Sequence, residues 1–209
     1  LLFARDVLQD YPGGTFISEV KASQVFYDDI ARRGGRAIMW KTGHSVIKAK
    51  MKQENALLAG EMSGHLFFAD RYFGYDDAMY ASCRLIEILA RHKKSLSALL
   101  GDVASTIVTP EIRVDCSDDH KFALVERIIE KLTDIRHSQV SGETGLLIRD
   151  MITIDGVRVI FDQGWGLVRA SNTQPALVLR FEATSLAQLK IIQEFLNDQL
   201  SIVRQEMMV

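Results

Sequence analysis

The chain has 209 residues, of which 47% are hydrophobic and 25% charged, as in an ordinary folded protein. Lys and Arg number 25 and Asp and Glu 27, so the net charge of −2 excludes a bulk polycation that binds nucleic acid through its phosphates. No apolar run approaches the roughly 18 residues of a membrane-spanning helix. At about 150 residues per domain, we expect one large domain or two small ones. The charge and the absence of a long apolar run also predict that neither nucleic acid nor a membrane is a partner.

The first half of the chain alternates helical and strand patterns. Leu1-Leu2-Phe3 opens the chain without Met or a capping residue, which predicts a helix already under way. After the Pro12-Gly13-Gly14 turn, the residue patterns predict strands at 15–20, 36–40, 56–60 and 66–69, and helices at 23–33 and 45–53. Strands that alternate with helices predict a mostly parallel sheet covered by helices, which is an α/β domain of three layers.

A longer helix follows these elements. The pair Asp76-Asp77 can cap it, and it is expected to end near residue 91 with Leu85, Ile86 and Leu89 on its inward face. The second acidic pair of the chain, Asp118-Asp119, has the same position before a helical pattern. We interpret both pairs as helix caps.

The pattern changes after a seam at 95–105. Strands are expected at 107–116, 146–154, 157–161, 167–170 and 176–183, with a helix ending near residue 132 between the first two. Asp155-Gly156 is typical of a two-residue hairpin, and Ser185 with Gln188 forms a capping-box pattern before a last helix. Grouped strands with flanking helices predict an α+β domain on an antiparallel sheet. We therefore expect an α/β domain at 1–103 and an α+β domain at 104–209.

The two cysteines share no motif and form no disulfide framework. Cys83 and Cys116 each lie within a predicted regular element, which predicts two buried thiols. Unpaired cysteines favour a reducing, cytoplasmic compartment.

Three segments carry more polar groups than a fold requires. The first is 60–65, Gly-Glu-Met-Ser-Gly-His, at the end of a strand in the α/β half, where ligands bind in open sheets. Glu61 and Ser63 can accept hydrogen bonds from sugar-like hydroxyls, and Ser63 can also donate to them. His65 can act as an acid or base near neutral pH. The alternative is a plain loop with a structural histidine.

The second segment, 40–45, follows another strand and precedes a helix with several lysines. A glycine-containing loop with donors at a helix N-terminus is a candidate anion site, with His44 in it. Lys21, at the end of the first strand, can point into the same crevice. The alternatives are a helix cap at Ser45 beside a solvated basic face, and an ordinary surface lysine at position 21.

The third segment, 169–175, joins two strands of the second domain. Arg169 can engage two phosphate oxygens with its donor fork, and Ser171, Asn172 and Thr173 add further donors. The alternative is a polar turn.

No Cys/His cluster has the spacing of a zinc site, so no metal ligand is assigned to this chain.

These segments together resemble the α-D-phosphohexomutase family, in its phosphomannomutase/phosphoglucomutase branch. Residues 60–65 resemble the sugar-recognition loop of the family's third domain, and 19–23, 41–45 and 71–77 resemble other segments of that domain. Residues 169–175 resemble the phosphate-binding loop of the fourth domain, with Gln174 where Glu is common. Met62 favours this branch, since phosphoglucosamine mutases usually carry Gln there.

The resemblance implies an isomerase that moves a phosphoryl group between C1 and C6 of mannose or glucose phosphates, through a phosphoserine and a bisphosphorylated sugar. It implies sugar contacts for Lys21, His44, Glu61 and Ser63, proton transfer by His65, and binding of the unreactive phosphate by the loop. The residues of that loop are Arg169, Ser171, Asn172 and Thr173.

The same resemblance implies that important parts of the enzyme lie elsewhere. The phosphoserine loop belongs to the family's first domain and the Mg²⁺ loop to its second, and neither occurs in these 209 residues. We therefore expect the chain to be the C-terminal piece of a longer cytoplasmic enzyme, inactive without its N-terminal domains. The alternatives are a standalone phosphosugar-binding module and a fragment of a phosphoglucosamine mutase.

Overall fold

A computed structural model of the chain describes residues 1–138 and 146–207. It divides into two units, Leu1–Ala104 and Ser105–Val209. The first unit contains five helices and four strands: α1 Leu2–Asp10, β1 Thr15–Glu19, α2 Gln24–Arg32, β2 Arg36–Trp40, α3 His44–Glu54, β3 Leu58–Gly60, β4 Leu66–Phe68, α4 Ala78–His92 and α5 Leu96–Leu99. Its strands lie in the order β2-β1-β3-β4.

The sheet of the first unit is mostly parallel. Strand β1 pairs in parallel with both β2 and β3, and only β4 runs antiparallel to its neighbour. Adjacent residues of β1 face opposite sides, since Phe16 packs in a core with α1, α2 and α4, whereas Ile17 packs against α3. The predicted three-layer α/β domain is confirmed.

Helix α4 differs from its prediction in which face is buried. Asp77 caps it by accepting a hydrogen bond from the Tyr80 amide at 2.9 Å. Its buried residues are Ala81, Arg84 and Ile88, whereas Ile86 is 65% exposed, so the prediction of Ile86 as an inward residue is wrong. The buried stripe contains an arginine because Asp70 neutralises it at 2.9 Å, and a buried charge obscures hydrophobic periodicity.

One of the two cysteines is buried and the other is exposed. Cys116 is buried as predicted, but Cys83 lies on the exposed side of α4, so its prediction as a buried thiol is wrong. Both cysteines are free.

The second unit is built on an antiparallel sheet, which confirms the predicted α+β architecture. Its elements are β5 Ile107–Val108, β6 Ile112–Asp115, α6 Lys121–Ser138, β7 Asp150–Ile152, β8 Val157–Phe161, β9 Gly164–Ala170, β10 Ala176–Ala183 and α7 Leu186–Met207. The strand order is β5-β10-β9-β8-β7, with β6 also paired to β10. Helices α6 and α7 pack on one face, where their leucines and isoleucines share a core with the sheet.

Three predicted elements of this unit are corrected. The strand expected at 107–116 is interrupted, since Pro110 has no amide hydrogen to donate, and it forms the short strands β5 and β6. The strand expected at 146–154 is limited to β7. The loop from β7 to β8 has four residues, 153–156, rather than two.

Two further helix caps were predicted from the sequence, at the starts of α6 and α7. Ser185 Oγ accepts a hydrogen bond from the Gln188 amide at 3.3 Å and so caps α7. Asp118 instead accepts a hydrogen bond from Lys121 Nζ at 2.5 Å. No helix in residues 1–138 and 146–207 is both long and apolar enough to cross a membrane.

Candidate functional site

The polar segments of the first unit meet at one edge of its sheet. In the parallel part of this sheet Glu19 is paired with Trp40 and Ser18 with Gly60, so β1, β2 and β3 end at the same level. The chain after each strand therefore starts from the same edge, as in other open sheets that bind ligands there. Ser18 Oγ ties two of these strand ends together by donating to the Gly60 carbonyl at 2.8 Å.

Glu61 joins two of the predicted site segments. Its Oε1 accepts a hydrogen bond from the Gly43 amide at 2.9 Å, which connects segment 60–65 with the loop before α3. Within its own segment, the Glu61 amide donates to the His65 carbonyl at 3.0 Å, and Gly64 adopts φ +94°. This turn leaves Ser63 and His65 exposed, so both side chains are accessible to a ligand.

The buried carboxylate of Glu19 contacts two of the segments at this edge. Glu19 is 0% exposed, and its Oε1 accepts a hydrogen bond from the Met62 amide at 2.8 Å. Its Oε2 lies 3.4 Å from Lys21 Nζ, and Lys21 is itself buried. Lys21 is therefore not an ordinary surface lysine. One acidic residue fixes both Lys21 and the loop that carries Glu61, and sequence reasoning gave Glu19 no role at the site.

His65 is engaged by Asp76. The His65 Nδ1 and Asp76 Oδ2 atoms are 2.5 Å apart, and Asp76 Oδ1 accepts a hydrogen bond from the Leu66 amide at 3.2 Å. The ring of His44 lies 6.4 Å from that of His65, centroid to centroid. Asp76 was predicted as a helix cap, but the cap is Asp77, so that prediction is wrong for Asp76.

The segment of the second unit begins with a buried arginine. Arg169, in β9, is 4% exposed, and its Nε and Nη2 donate to the two carboxylate oxygens of Asp155 at 3.1 and 3.3 Å. The hairpin loop approaches β9 closely, since a Cβ on Gly156 would lie 2.3 Å from the Val168 carbonyl oxygen. Glycine at this position therefore allows Asp155 to reach Arg169.

The rest of this segment is a turn organised by Ser171. Its Oγ accepts hydrogen bonds from the Gln174 amide at 3.2 Å and from the Thr173 amide at 3.4 Å, and its own amide donates to the Ala176 carbonyl. Because Oγ is an acceptor in these contacts, the hydroxyl keeps its hydrogen for another partner. Asn172 and Thr173 are exposed.

A buried lysine lies under the same turn. Lys121, at the start of α6, is 4% exposed, and its Nζ donates to the Gln174 carbonyl at 3.0 Å and to Asp118. Gln174 also accepts a hydrogen bond from Arg113 through its side chain. Two cationic side chains, Lys121 and Arg113, thus contact the turn through Gln174, and sequence reasoning singled out neither.

Within residues 1–138 and 146–207, no group of three or more His, Cys, Asp or Glu side chains is arranged to hold a metal ion.

Comparison with known proteins matches both units to one family. The family model described as phosphoglucomutase/phosphomannomutase, alpha/beta/alpha domain III, matches residues 1–107, and the one described as phosphoglucomutase/phosphomannomutase, C-terminal domain, matches residues 111–199. A phosphomannomutase/phosphoglucomutase of Pseudomonas putida is 46% identical over 207 residues, which are 99% of this chain and 42% of that protein.

Two further relatives also match nearly all of this chain with about two fifths of their own length. A phosphoglucomutase of Neisseria gonorrhoeae is 45% identical, and the match covers 92% of this chain and 40% of that protein. The crystal structure of a phosphoglucomutase/phosphomannomutase family protein from Burkholderia thailandensis is 40% identical, with a TM-score of 0.81, and the match covers 97% of this chain and 40% of that one. The chain spans about two fifths of the length of these relatives.

Proposed function

The chain belongs to the phosphoglucomutase/phosphomannomutase family, as domains III and IV, and from this we propose that it is the substrate-recognition part of a hexose phosphate mutase. The whole enzyme would interconvert the 1-phosphates and 6-phosphates of mannose or glucose. The observation that carries this proposal is the meeting of Lys21, Glu61 and the neighbouring loops at one edge of the first sheet.

The first unit would recognise the sugar. Glu61 and Ser63 would bind ring hydroxyls, because a carboxylate has two acceptor oxygens and a hydroxyl both donates and accepts. Lys21 and His44 would contact the sugar from the same edge, where Glu19 fixes the lysine. Two of the four side chains, Lys21 and Glu61, are already held by hydrogen bonds or ion pairs to the scaffold, which lowers the entropic cost of ordering them around a ligand.

The second unit would bind the phosphate that does not react. Arg169 carries its charge in a planar fork, of which Asp155 engages two donors and fixes the orientation. Ser171 has a hydroxyl hydrogen to donate, and Asn172 and Thr173 expose further donors. A fixed anchor of this kind supplies orientation, which brings a substrate oxygen into line for transfer.

The phosphoryl transfer itself would depend on parts of the enzyme outside this chain. We propose that a phosphoserine and a Mg²⁺ site, both of them in N-terminal domains, would supply the transferred group and the neutralising charge, since this chain spans about two fifths of the length of its relatives. His65 would take the proton of the reacting hydroxyl. The free thiols of Cys83 and Cys116 agree with a reducing compartment, and the cytoplasm stays a prediction.

A coupled assay tests this proposal on the full-length protein that carries this chain. Glucose 1-phosphate, with glucose 1,6-bisphosphate and Mg²⁺, is expected to be converted to glucose 6-phosphate. Mannose and glucosamine phosphates in parallel assays separate this branch from a phosphoglucosamine mutase. Absence of turnover on all three, with phosphosugar binding retained, would instead support a binding module.

A further inference from the structure

We propose that Asp76 is the positioning residue for His65, holding its ring in the tautomer and orientation needed to accept a proton. Asp76 Oδ2 lies 2.5 Å from His65 Nδ1, within hydrogen-bond distance of the ring nitrogen. This inference rests on the proposed function, in which His65 moves the proton of the sugar hydroxyl.

The chemistry of the two groups fixes the position of the ring hydrogen. An ionised carboxylate has no hydrogen to donate, so the Nδ1 of His65 must carry the hydrogen of this contact. In the neutral ring, Nε2 is then the acceptor nitrogen. Asp76 therefore selects the tautomer in which Nε2 can take a proton from a substrate.

The fold also holds the Asp76 carboxylate in place, through contacts with the backbone of β4. Asp76 forms an isolated antiparallel bridge with Phe67, a residue of β4 that is 0% exposed. The second carboxylate oxygen accepts a hydrogen bond from the Leu66 amide, next to His65 in the chain. Two contacts with the backbone thus place Asp76 opposite the strand that begins directly after His65.

The exposure of the pair favours this role over a stabilising one. The side chains of His65 and Asp76 are 47% and 38% exposed, and ion pairs in such positions contribute little to stability. The same exposure leaves the imidazole within reach of a ligand at the edge of the sheet. A carboxylate held by two backbone contacts beside a solvent-accessible histidine is thus better explained by chemistry than by folding.

The proton transfer can be written in full. As the substrate hydroxyl oxygen forms its bond to phosphorus, its O–H bond breaks and the proton moves to His65 Nε2. The P–O bond to the donor serine breaks, and the serine oxygen keeps that electron pair. The imidazolium that forms lies beside the Asp76 carboxylate, which stabilises its new charge.

The test compares Asp76→Asn with Asp77→Asn in the full-length enzyme. The amide side chain introduced by Asp76→Asn can keep the Leu66 hydrogen bond through its oxygen, while its nitrogen turns a donor toward Nδ1 and moves the ring hydrogen to Nε2. We expect kcat to fall about 100-fold or more, the typical contribution of general base catalysis, with KM changed less than about threefold. Asp77→Asn keeps a cap-forming side chain and is expected to leave kcat unchanged.

A spectroscopic measurement separates positioning from a general loss of structure. Nitrogen-15 NMR of the histidine-labelled full-length enzyme is expected to show hydrogen on Nδ1 of His65 in the wild type and on Nε2 in Asp76→Asn. An unchanged kcat in Asp76→Asn, or an unchanged tautomer, would overturn the inference. A wild-type enzyme without mutase turnover would instead overturn the proposed function, and the tautomer comparison would still decide whether Asp76 orients the ring.

Discussion

Arg169 combines deep burial with a fixed guanidinium, a combination suited to binding a charged group. It is 4% exposed, and Asp155 accepts hydrogen bonds from two of its nitrogens. A buried cation with one carboxylate partner keeps its remaining donors in a set direction, and a phosphate can accept two of them together. The charge of the proposed phosphate anchor thus comes from Arg169, which Asp155 positions, while the turn at 171–173 adds neutral donors.

The first prediction concerns that side chain. Arg169→Ala is expected to weaken binding of glucose 6-phosphate about tenfold or more, because hydrogen bonds to charged groups contribute about 1.5–3 kcal/mol each. Isothermal titration calorimetry measures the affinity. Arg149→Ala is a matched control, since Arg149 lies in the same unit but pairs with Asp162 at the surface. Equal affinities of Arg169→Ala and the wild type would refute the anchor role.

The second prediction separates sugar from phosphate recognition. Glu61→Ala is expected to weaken binding of glucose 6-phosphate about tenfold, by loss of a charge-assisted hydrogen bond, and to leave the affinity for inorganic phosphate unchanged. Arg169→Ala should weaken both. Competition between the two ligands, followed by calorimetry, gives both affinities. A loss of phosphate affinity in Glu61→Ala would contradict a role confined to the sugar.

Residues of the site differ in how far sequence could identify them. Glu61, His65 and Arg169 lie in glycine-rich or polar loops at strand ends, where functional groups are expected. The supporting residues Glu19, Asp76, Asp155 and Lys121 were missed because each acts on a partner distant in sequence, at separations of 43, 11, 14 and 53 residues. Such pairings depend on strand register, which a single sequence does not specify.

Among the secondary-structure elements, α1 and α2 are joined by a buried charge network. Asp29 of α2 is 2% exposed, and its carboxylate accepts hydrogen bonds from Arg5 of α1 and from Arg32 and Arg33. These arginines hold the pKa of Asp29 well below its ordinary value, chiefly through the hydrogen bond from Arg5. The charge of one carboxylate therefore contributes to the packing of α1 against α2, beside the apolar contacts that α1 makes in the core.

The third prediction removes that charge. Asp29→Asn is expected to destabilise the first unit by about 1–3 kcal/mol, because Arg5 loses charge-assisted hydrogen bonds but keeps its ion pair with Asp102 at 2.8 Å. The free energy of unfolding, from chemical denaturation, measures it. Asp28→Asn, one residue away and exposed, should cost little. Comparable losses in the two variants would show that the network is not stabilising.

The fourth prediction follows from the lowered pKa of Asp29. In the unfolded chain the carboxyl binds a proton near its ordinary pKa of about 3.9, whereas in the folded chain it stays ionised to lower pH. Its contribution to stability is thus complete above about pH 5 and is lost as the pH falls below about 4. Denaturation at a series of pH values should show a shallower acid decline in Asp29→Asn. Parallel curves would contradict the assignment.

The elements themselves were predictable wherever a local signal governs them. Strands β2, β8 and β10 have their predicted ends because apolar runs are bounded there by glycine, proline or polar turns. The single strand predicted at 107–116 was not observed. Pro110 interrupts its pairing with β10, although the Thr109 amide still donates to the Phe181 carbonyl. In α4 the buried Arg84 shifted the inward face away from Ile86. The second departure arises from a partner elsewhere in the fold, Asp70, whereas the first was signalled locally by Pro110.

On the scale of the whole chain, each unit carries one part of a binding function in our proposal, and the first unit adds only the proton acceptor His65 to the transfer chemistry. The chain spans about two fifths of the length of its relatives. The phosphoserine and the metal are proposed to belong to the remainder. The family and the two architectures could be predicted from the sequence because their loops keep recognisable residues in order.

The fifth prediction is that the 209-residue chain alone has no mutase activity. Glucose 1-phosphate with glucose 1,6-bisphosphate and Mg²⁺ is expected to remain unconverted above the buffer rate in a coupled assay. The full-length protein in the same assay is the positive control. Turnover by the isolated chain would place the transfer chemistry within these residues.

Titration of the nitrogen-15-labelled chain with glucose 6-phosphate, followed by amide NMR, tests the central claim most directly. The account predicts saturable shifts in two places, the loops at 41–45 and 60–66 and the turn at 169–175, with inorganic phosphate moving only the turn. Shifts confined to other surfaces, or spectra that do not change at any ligand concentration, would contradict the claim that this chain recognises a phosphosugar.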